Sequence, residues 1–315
     1  MKRILSAAGV ASAAVAVGVG LWLGGTSAAE DSLVRYDRES PYYKIRVVDY
    51  PDEGRRCLHF SKSRGIQSSM KLSDPTALDL RYSKSMMAAL ALHPDPKDVL
   101  LIGLGGASIP KFILKHWPEV RLDILEIDPD VVKVCQEYFA LKGSPAIRVI
   151  VMDGRMYLKR SSKAYDLILL DAYAADHIPF HLTTVEFVRL VRDHLKPGGV
   201  VASNLWEYGI NRFYHAELRT FQKVFPQTYL FRAGYSGNVI VFGTTSGERV
   251  AEETWAKRAA QLAAGKDLGF DLPKLVRDEY TVLTDREIDE TALTDDKAPV
   301  GTLRHEHPRT FGRNG

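Results

Sequence analysis

Between residues 99 and 205 the chain repeats one unit: a short apolar run, then a segment whose apolar residues recur at helical spacing. The runs fall at 99–102, 122–127, 147–152, 167–170 and 200–205. Strands this apolar are buried on both faces, and a helix between successive strands is the crossover a parallel sheet requires. One such crossover, over 130–140, sets Val131, Val134, Cys135, Tyr138 and Phe139 on a single face that can cover the sheet. A last helix over 211–225 leads into β-rich runs at 229–232 and 238–243, whose short Gly-containing joint makes them an antiparallel hairpin. The pattern predicts an α/β fold: a doubly wound, Rossmann-like, mostly parallel sheet of seven strands.

The residues ahead of this unit are organised differently. β-rich runs at 43–50, 56–60 and 66–70 are separated by Pro51-Asp52-Glu53-Gly54 and Lys62-Ser63-Arg64-Gly65, the punctuation of tight turns, so a small antiparallel β domain is expected there. A helix is expected to start at Asp74-Pro75 and to run to the Pro94-Asp95-Pro96 break, and another to lie over 248–265. The division that follows is a leader at 1–29, the small β domain at 30–75, the main α/β domain at 76–304 and a polar tail at 305–315. In the leader, Lys2 and Arg3 precede an uncharged stretch from Ile4 to Leu23 and the small residues Thr26-Ser27-Ala28-Ala29. That is the grammar of a signal peptide, and the stretch is also about as long as a bilayer-spanning anchor. A membrane-associated or exported protein with a membrane tether is therefore expected, with a catalytic domain facing the cytoplasm left open.

Composition excludes several chemistries. The net charge is +3 and no basic stripe with interleaved aromatics occurs, so nucleic acid is not an expected partner. Cys57 and Cys135 lie far apart without a CxxC or Cys/His cluster, and both read as buried structural thiols. His177 and His181 stand at i, i+4, but Pro179 interrupts a regular helix and no third ligand is near, so no metal is expected.

The chemistry concentrates at the ends of the predicted strands. The first runs into Gly103-Leu104-Gly105-Gly106-Ala107-Ser108, a turn whose glycines let the backbone approach a ligand, with Ser108 expected to cap the following helix. Glu126, with Ile127 beside it, closes the second strand, where an acid can accept hydrogen bonds from both ribose hydroxyls; Asp128 before Pro129 is the better helix cap. Asp153-Gly154 closes the third, where the exocyclic amine of adenine needs an acceptor, and Asp171 closes the fourth. Three acids at one sheet edge beside a glycine turn predict a nucleoside site. A dinucleotide fits less well, because the turn lacks the third glycine of the G-x-G-x-x-G pattern and has Pro110 near that point.

Taken with Tyr43-Lys44-Ile45-Arg46-Val47, Gln67 and Tyr165-Asp166-Leu167-Ile168-Leu169-Leu170-Asp171, these motifs resemble the spermidine synthase (polyamine aminopropyltransferase) family over nearly all of residues 42–300. The loop from Asp171 to Pro179 and the late Leu293-Thr294-Asp295-Asp296-Lys297-Ala298-Pro299 look like a divergent bacterial branch. The resemblance implies a transferase of polyamine biosynthesis with decarboxylated S-adenosylmethionine as donor and an amine as acceptor. It assigns catalysis to Asp171, Asp176 and Tyr82, and donor binding to Gln67, Gly103, Gly105, Glu126, Ile127, Asp153 and Gly154. The chain departs from the family pattern at Gly106, at Ser83-Lys84 after Tyr82 and at Ala174, where the family carries acids or a histidine. Gly106, and Lys84, which could pair with the carboxylate of S-adenosylmethionine itself, keep a methyltransferase open; the leader and the partly lost acids keep a non-catalytic nucleoside-binding module open, and a homodimer is also open.

Overall fold

In a computed structural model, residues 32–60, 65–172, 179–207, 209–234, 236–283 and 291–297 are described. The chain opens with four antiparallel strands: β1 (Leu33–Glu39), β2 (Lys44–Tyr50), β3 (Arg55–Phe60) and β4 (Ser68–Lys71), paired in that order. β1 had no signal in the sequence: it carries Arg35, Asp37 and Arg38, most of its residues are exposed, and it exists by pairing with β2. Ile45, Val47, Leu58 and Met70 from the later three strands are buried in the same core as the main sheet, so the small sheet packs on it directly.

The helix expected from Asp74 begins only at α1 (Arg81–Met86), followed by α2 (Ala89–Leu92). The Asp74 carboxylate accepts the Thr76 amide at 3.0 Å, and that local turn competes with helix initiation. The alternating units then follow as β5 (Asp98–Ile102), α3 (Ser108–His116), β6 (Arg121–Glu126), α4 (Pro129–Tyr138), β7 (Ile147–Val151), α5 (Gly154–Arg160), β8 (Tyr165–Leu170), α6 (Val185–Asp193) and β9 (Leu195–Trp206). After α7 (Tyr214–Val224) come β10 (Gln227–Arg232) and β11 (Asn238–Thr244), the expected antiparallel hairpin, then α8 (Glu252–Ala263), α9 (Leu272–Glu279) and β12 (Tyr280–Thr281).

Among the described residues the main sheet has eight strands rather than seven, in the order β12-β10-β11-β9-β8-β5-β6-β7. The extra member, β12, contributes two residues against β10 at the edge, too few to leave a periodic signal. β9, β8, β5, β6 and β7 run parallel, and the order of connection reverses at β5, whose neighbours are β6 and β8. Crevices open at such a reversal, outside the carboxyl ends of the strands.

Two apolar layers hold the sheet. One includes Val131, Val134, Cys135 and Phe139 of the α4 face read from the sequence; the other includes Phe187, Val191, Leu218 and Phe221 from α6 and α7. Both cysteines are buried and free. The leader at 1–29 and the tail at 305–315 lie outside the described residues; among the described residues no helix is long and apolar enough to cross a membrane. The expectation of a membrane-associated or exported protein is corrected accordingly: no described element supports it.

Candidate active site

β5 ends in a turn that only small residues can make. Gly103 (φ 98°) and Gly105 (φ 52°) are left-handed, and a methyl group on Gly103 would lie 2.3 Å from the Asp171 carbonyl oxygen. Ala107 is also left-handed, at φ 56°, and it rather than Ser108 is the cap of α3; the Ser108 hydroxyl is drawn off to the Ser69 carbonyl at 3.2 Å. Alanine in this region costs about 1 kcal/mol.

Above the turn lies a cleft of about 800 Å³. It is lined by Gln67, Tyr82, Gly103, Gly105, Glu126, Ile127, Asp153, Gly154 and Asp171, so every site residue expected from the sequence converges there except Asp176, which lies outside the described residues.

The three acids differ in what holds them. Glu126 is buried; its two carboxylate oxygens accept the Leu104 and Asp128 amides, each at 3.0 Å. Desolvation raises its pKa, and the Asp128 and Leu104 amides oppose that only in part. Asp153 caps α5 by accepting the Met156 amide at 2.8 Å, and its other oxygen meets Nε2 of His181 at 2.8 Å. Desolvation pushes Asp153 upward, but the His181 hydrogen bond and the Met156 amide outweigh it and hold the acid below its ordinary value.

Asp171 stands at the carboxyl end of β8 beside the Gly103 turn, fixed by its own amide donating to the Ile102 carbonyl at 2.8 Å. Its side chain accepts from Nδ2 of Asn204 at 2.9 Å and from the Tyr82 hydroxyl at 3.2 Å. Desolvation pushes its pKa up to about 6, against the pull of those two donors. A carboxyl group with that value is poised to take up and release a proton near neutrality. Asn238 donates in turn to the Asn204 side-chain oxygen at 3.0 Å, fixing the amide that holds Asp171. Sequence reasoning missed both Asn204 and His181 as partners of these acids.

The departures from the family pattern are equally placed. A methyl group on Gly106 would lie 2.6 Å from the Ser68 hydroxyl and 3.1 Å from the Phe139 ring, so an acid there would require the Ser68 and Phe139 side chains to shift. Lys84 does not line the cleft. Among the described residues no cluster of three or more His, Cys, Asp or Glu is arranged to hold a metal.

A family model described as the spermine/spermidine synthase domain matches residues 80–253, more than half of the chain. The chain belongs to the spermine/spermidine synthase family. The polyamine aminopropyltransferase of Vibrio vulnificus is 34% identical over 217 residues, covering 67% of this chain and 71% of that protein. The corresponding enzyme of Chromobacterium violaceum is 34% identical over 227 residues, covering 71% and 86%. In fold, the chain is similar to a probable spermidine synthase from Corynebacterium glutamicum, with a TM-score of 0.66 at 21% identity over 86% of this chain and 99% of that one.

Proposed function

We propose that the chain transfers an aminopropyl group from decarboxylated S-adenosylmethionine to an amine of the polyamine type. The observation that carries this reading is Asp171: a carboxyl group at the carboxyl end of a central strand, open to the cleft, raised to about 6, and among the described residues free of any ion-pair partner. Relatives named polyamine aminopropyltransferases support the reaction class.

In this reading Glu126 accepts the ribose hydroxyls, Asp153 accepts the exocyclic amine of adenine, and the turn at Gly103 and Gly105 lets the donor lie against the backbone. An ammonium has no lone pair, so the acceptor must first give up a proton, and Asp171 takes it. The free amine attacks the propyl carbon bonded to the sulfonium. A C–N bond forms as the C–S bond breaks, the electron pair returns to sulfur, and methylthioadenosine leaves as a neutral thioether. Tyr82 and Asn204 hold the carboxylate of Asp171 in place through the proton transfer. Asp176 is assigned to the acceptor side on the family resemblance.

The alternatives lose ground on specific residues. Methyl transfer was favoured by Lys84 meeting the donor's carboxylate, and Lys84 lies off the cleft. A non-catalytic binding module would leave the raised carboxyl group of Asp171 at the cleft without a role. The test is to incubate the full-length chain with decarboxylated and with ordinary S-adenosylmethionine, each with putrescine or spermidine, and to weigh the products. An aminopropyl gain on the amine with release of methylthioadenosine is expected. A methyl gain, or no gain with either donor, overturns the reading.

A further inference from the structure

His181 belongs to a short 3-10 turn (Phe180–Leu182) between β8 and α6, and it lines the cleft beside Pro179 and Leu182. Its Nε2 reaches the Asp153 carboxylate. What holds His181 there is not local. Its carbonyl accepts from Nη1 of Arg155 at 3.0 Å, and the same guanidinium grips the Asp295 carboxylate with both terminal nitrogens. Asp295 in turn comes from the segment 291–297, which is tied down on α6 and α7. The Val185 amide donates to the Leu293 carbonyl at 2.8 Å, the Leu293 amide to the Thr220 hydroxyl at 2.9 Å, the Thr184 hydroxyl to Asp295 at 2.7 Å, and the Asp295 amide to Glu186 at 3.1 Å. The side chain of Arg155 is 11% exposed and that of Asp295 41%, so water reaches the acid, but the bidentate fork still fixes the geometry of the pair.

The chain of contacts runs from the Asp295 segment through Arg155 to the His181 backbone, and from the His181 ring to Asp153. Resting on the nucleoside reading of the cleft, we propose that His181 is a positioning residue of the purine subsite, and that Arg155 and Asp295 form the clasp that sets it. One Asp153 oxygen is committed to the α5 amide at Met156; the other is oriented by the imidazole, which fixes the carboxylate plane and leaves its remaining lone pairs for the exocyclic amine of adenine. Without His181, Asp153 still caps α5, so the fold persists while the carboxylate turns about its bond. The late acidic motif of the sequence thereby acquires a role in donor recognition, reached through a residue 140 positions away in the chain.

The test pairs calorimetric titration of methylthioadenosine with steady-state transfer kinetics on the full-length chain. His181→Ala is expected to weaken methylthioadenosine binding roughly tenfold and to raise KM for the donor by more than kcat falls, as loss of one charge-assisted hydrogen bond predicts. His181→Gln, whose amide can still donate to Asp153, is expected to recover most of that loss. Asp295→Ala is expected to act in the same direction by about threefold. The double variant should bind no more weakly than His181→Ala alone, because both act through one pathway. Asp295→Asn, which keeps an acceptor for Arg155, provides the milder variant if Asp295→Ala does not fold. A wild-type chain that binds methylthioadenosine while His181→Ala binds it equally overturns this inference alone, and so does a double variant whose loss is the product of the two single losses. A wild-type chain that binds no nucleoside overturns the proposed function and this inference with it.

Discussion

The two edges of the parallel sheet carry the same kind of residue and treat it in opposite ways. Toward the amino ends of the strands, Asp98, Asp123 and Asp166 are each met by cations: Arg121 and Lys196 on Asp98, Arg148 and Lys163 on Asp123, Lys196 on Asp166. All three acids are held below the usual carboxylate range, by the Arg121 hydrogen bond on Asp98 and, on Asp123 and Asp166, by hydrogen bonds and charges that outweigh desolvation. At the carboxyl ends, Glu126, Asp153 and Asp171 meet backbone amides, an imidazole, a phenol and an amide side chain, and among the described residues no lysine or arginine pairs with them. Desolvation there wins outright at Glu126 and Asp171. An acid neutralised by neighbouring cations is finished business for the fold, whereas an acid left with partial donors keeps its capacity for a ligand or a proton. The position of the carboxylate in the sheet, and not its identity, separates the acids neutralised by cations from those left open to the cleft.

Variants can break this division or sharpen it. Asp171→Asn keeps the shape and the Asn204 contact but removes the proposed base, and turnover is expected to fall by roughly 10³, measured by release of methylthioadenosine. Glu126→Gln is expected to weaken methylthioadenosine binding by about 10- to 100-fold, the worth of a hydrogen bond to a charged group, as read by calorimetry. At the opposite edge, Asp123→Asn should leave turnover unchanged and lower stability by about 1–2 kcal/mol in chemical denaturation, a modest figure because Arg148 is 58% exposed and water can replace the acid. Tyr82→Phe removes one of the two donors that pull Asp171 down, so kcat should fall only about threefold while its pH midpoint moves upward.

The pH dependences of the two edges have opposite sign. Asp171 is raised above its unfolded value, so its stabilising contribution is present in acid and is lost as pH rises through about 6, where the proposed base ionises and turnover is expected to climb. Asp98, Asp123 and Asp166 are depressed, so their contribution is present above the unfolded value and is lost as pH falls through their lower folded values. Melting curves should therefore show Asp171→Asn gaining on the wild type between about pH 4 and pH 6, and acid denaturation below about pH 4 should be blunted in Asp123→Asn.

The carboxyl edge was legible because everything that creates it is local. An apolar run fixes a strand, the strand fixes its end, and Glu126, Asp153 and Asp171 sit at or one to two residues past those ends. The same periodicity told nothing of β1, whose residues are mostly exposed and charged, or of where α1 begins, which an Asp74 side-chain turn decides. What tunes each acid was illegible for another reason. Tyr82 reaches Asp171 across 89 residues, Asn204 across 33, His181 reaches Asp153 across 28, and Arg155 meets Asp295 across 140. Such pairings are set by the packing of separate elements, and no spacing along the chain encodes them. Gly106 carries a similar lesson: its missing acid is plain in the sequence, while the Ser68 and Phe139 side chains that crowd the position are not.

The division of labour within the cleft is tested most directly by measuring methylthioadenosine affinity and aminopropyl turnover side by side in Asp171→Asn and Glu126→Gln. Asp171→Asn is expected to bind the nucleoside within about twofold of the wild type and to turn over roughly a thousandth as fast, with Glu126→Gln losing affinity first. An Asp171→Asn chain that transfers at the wild-type rate, or one that no longer binds the nucleoside, would contradict the account.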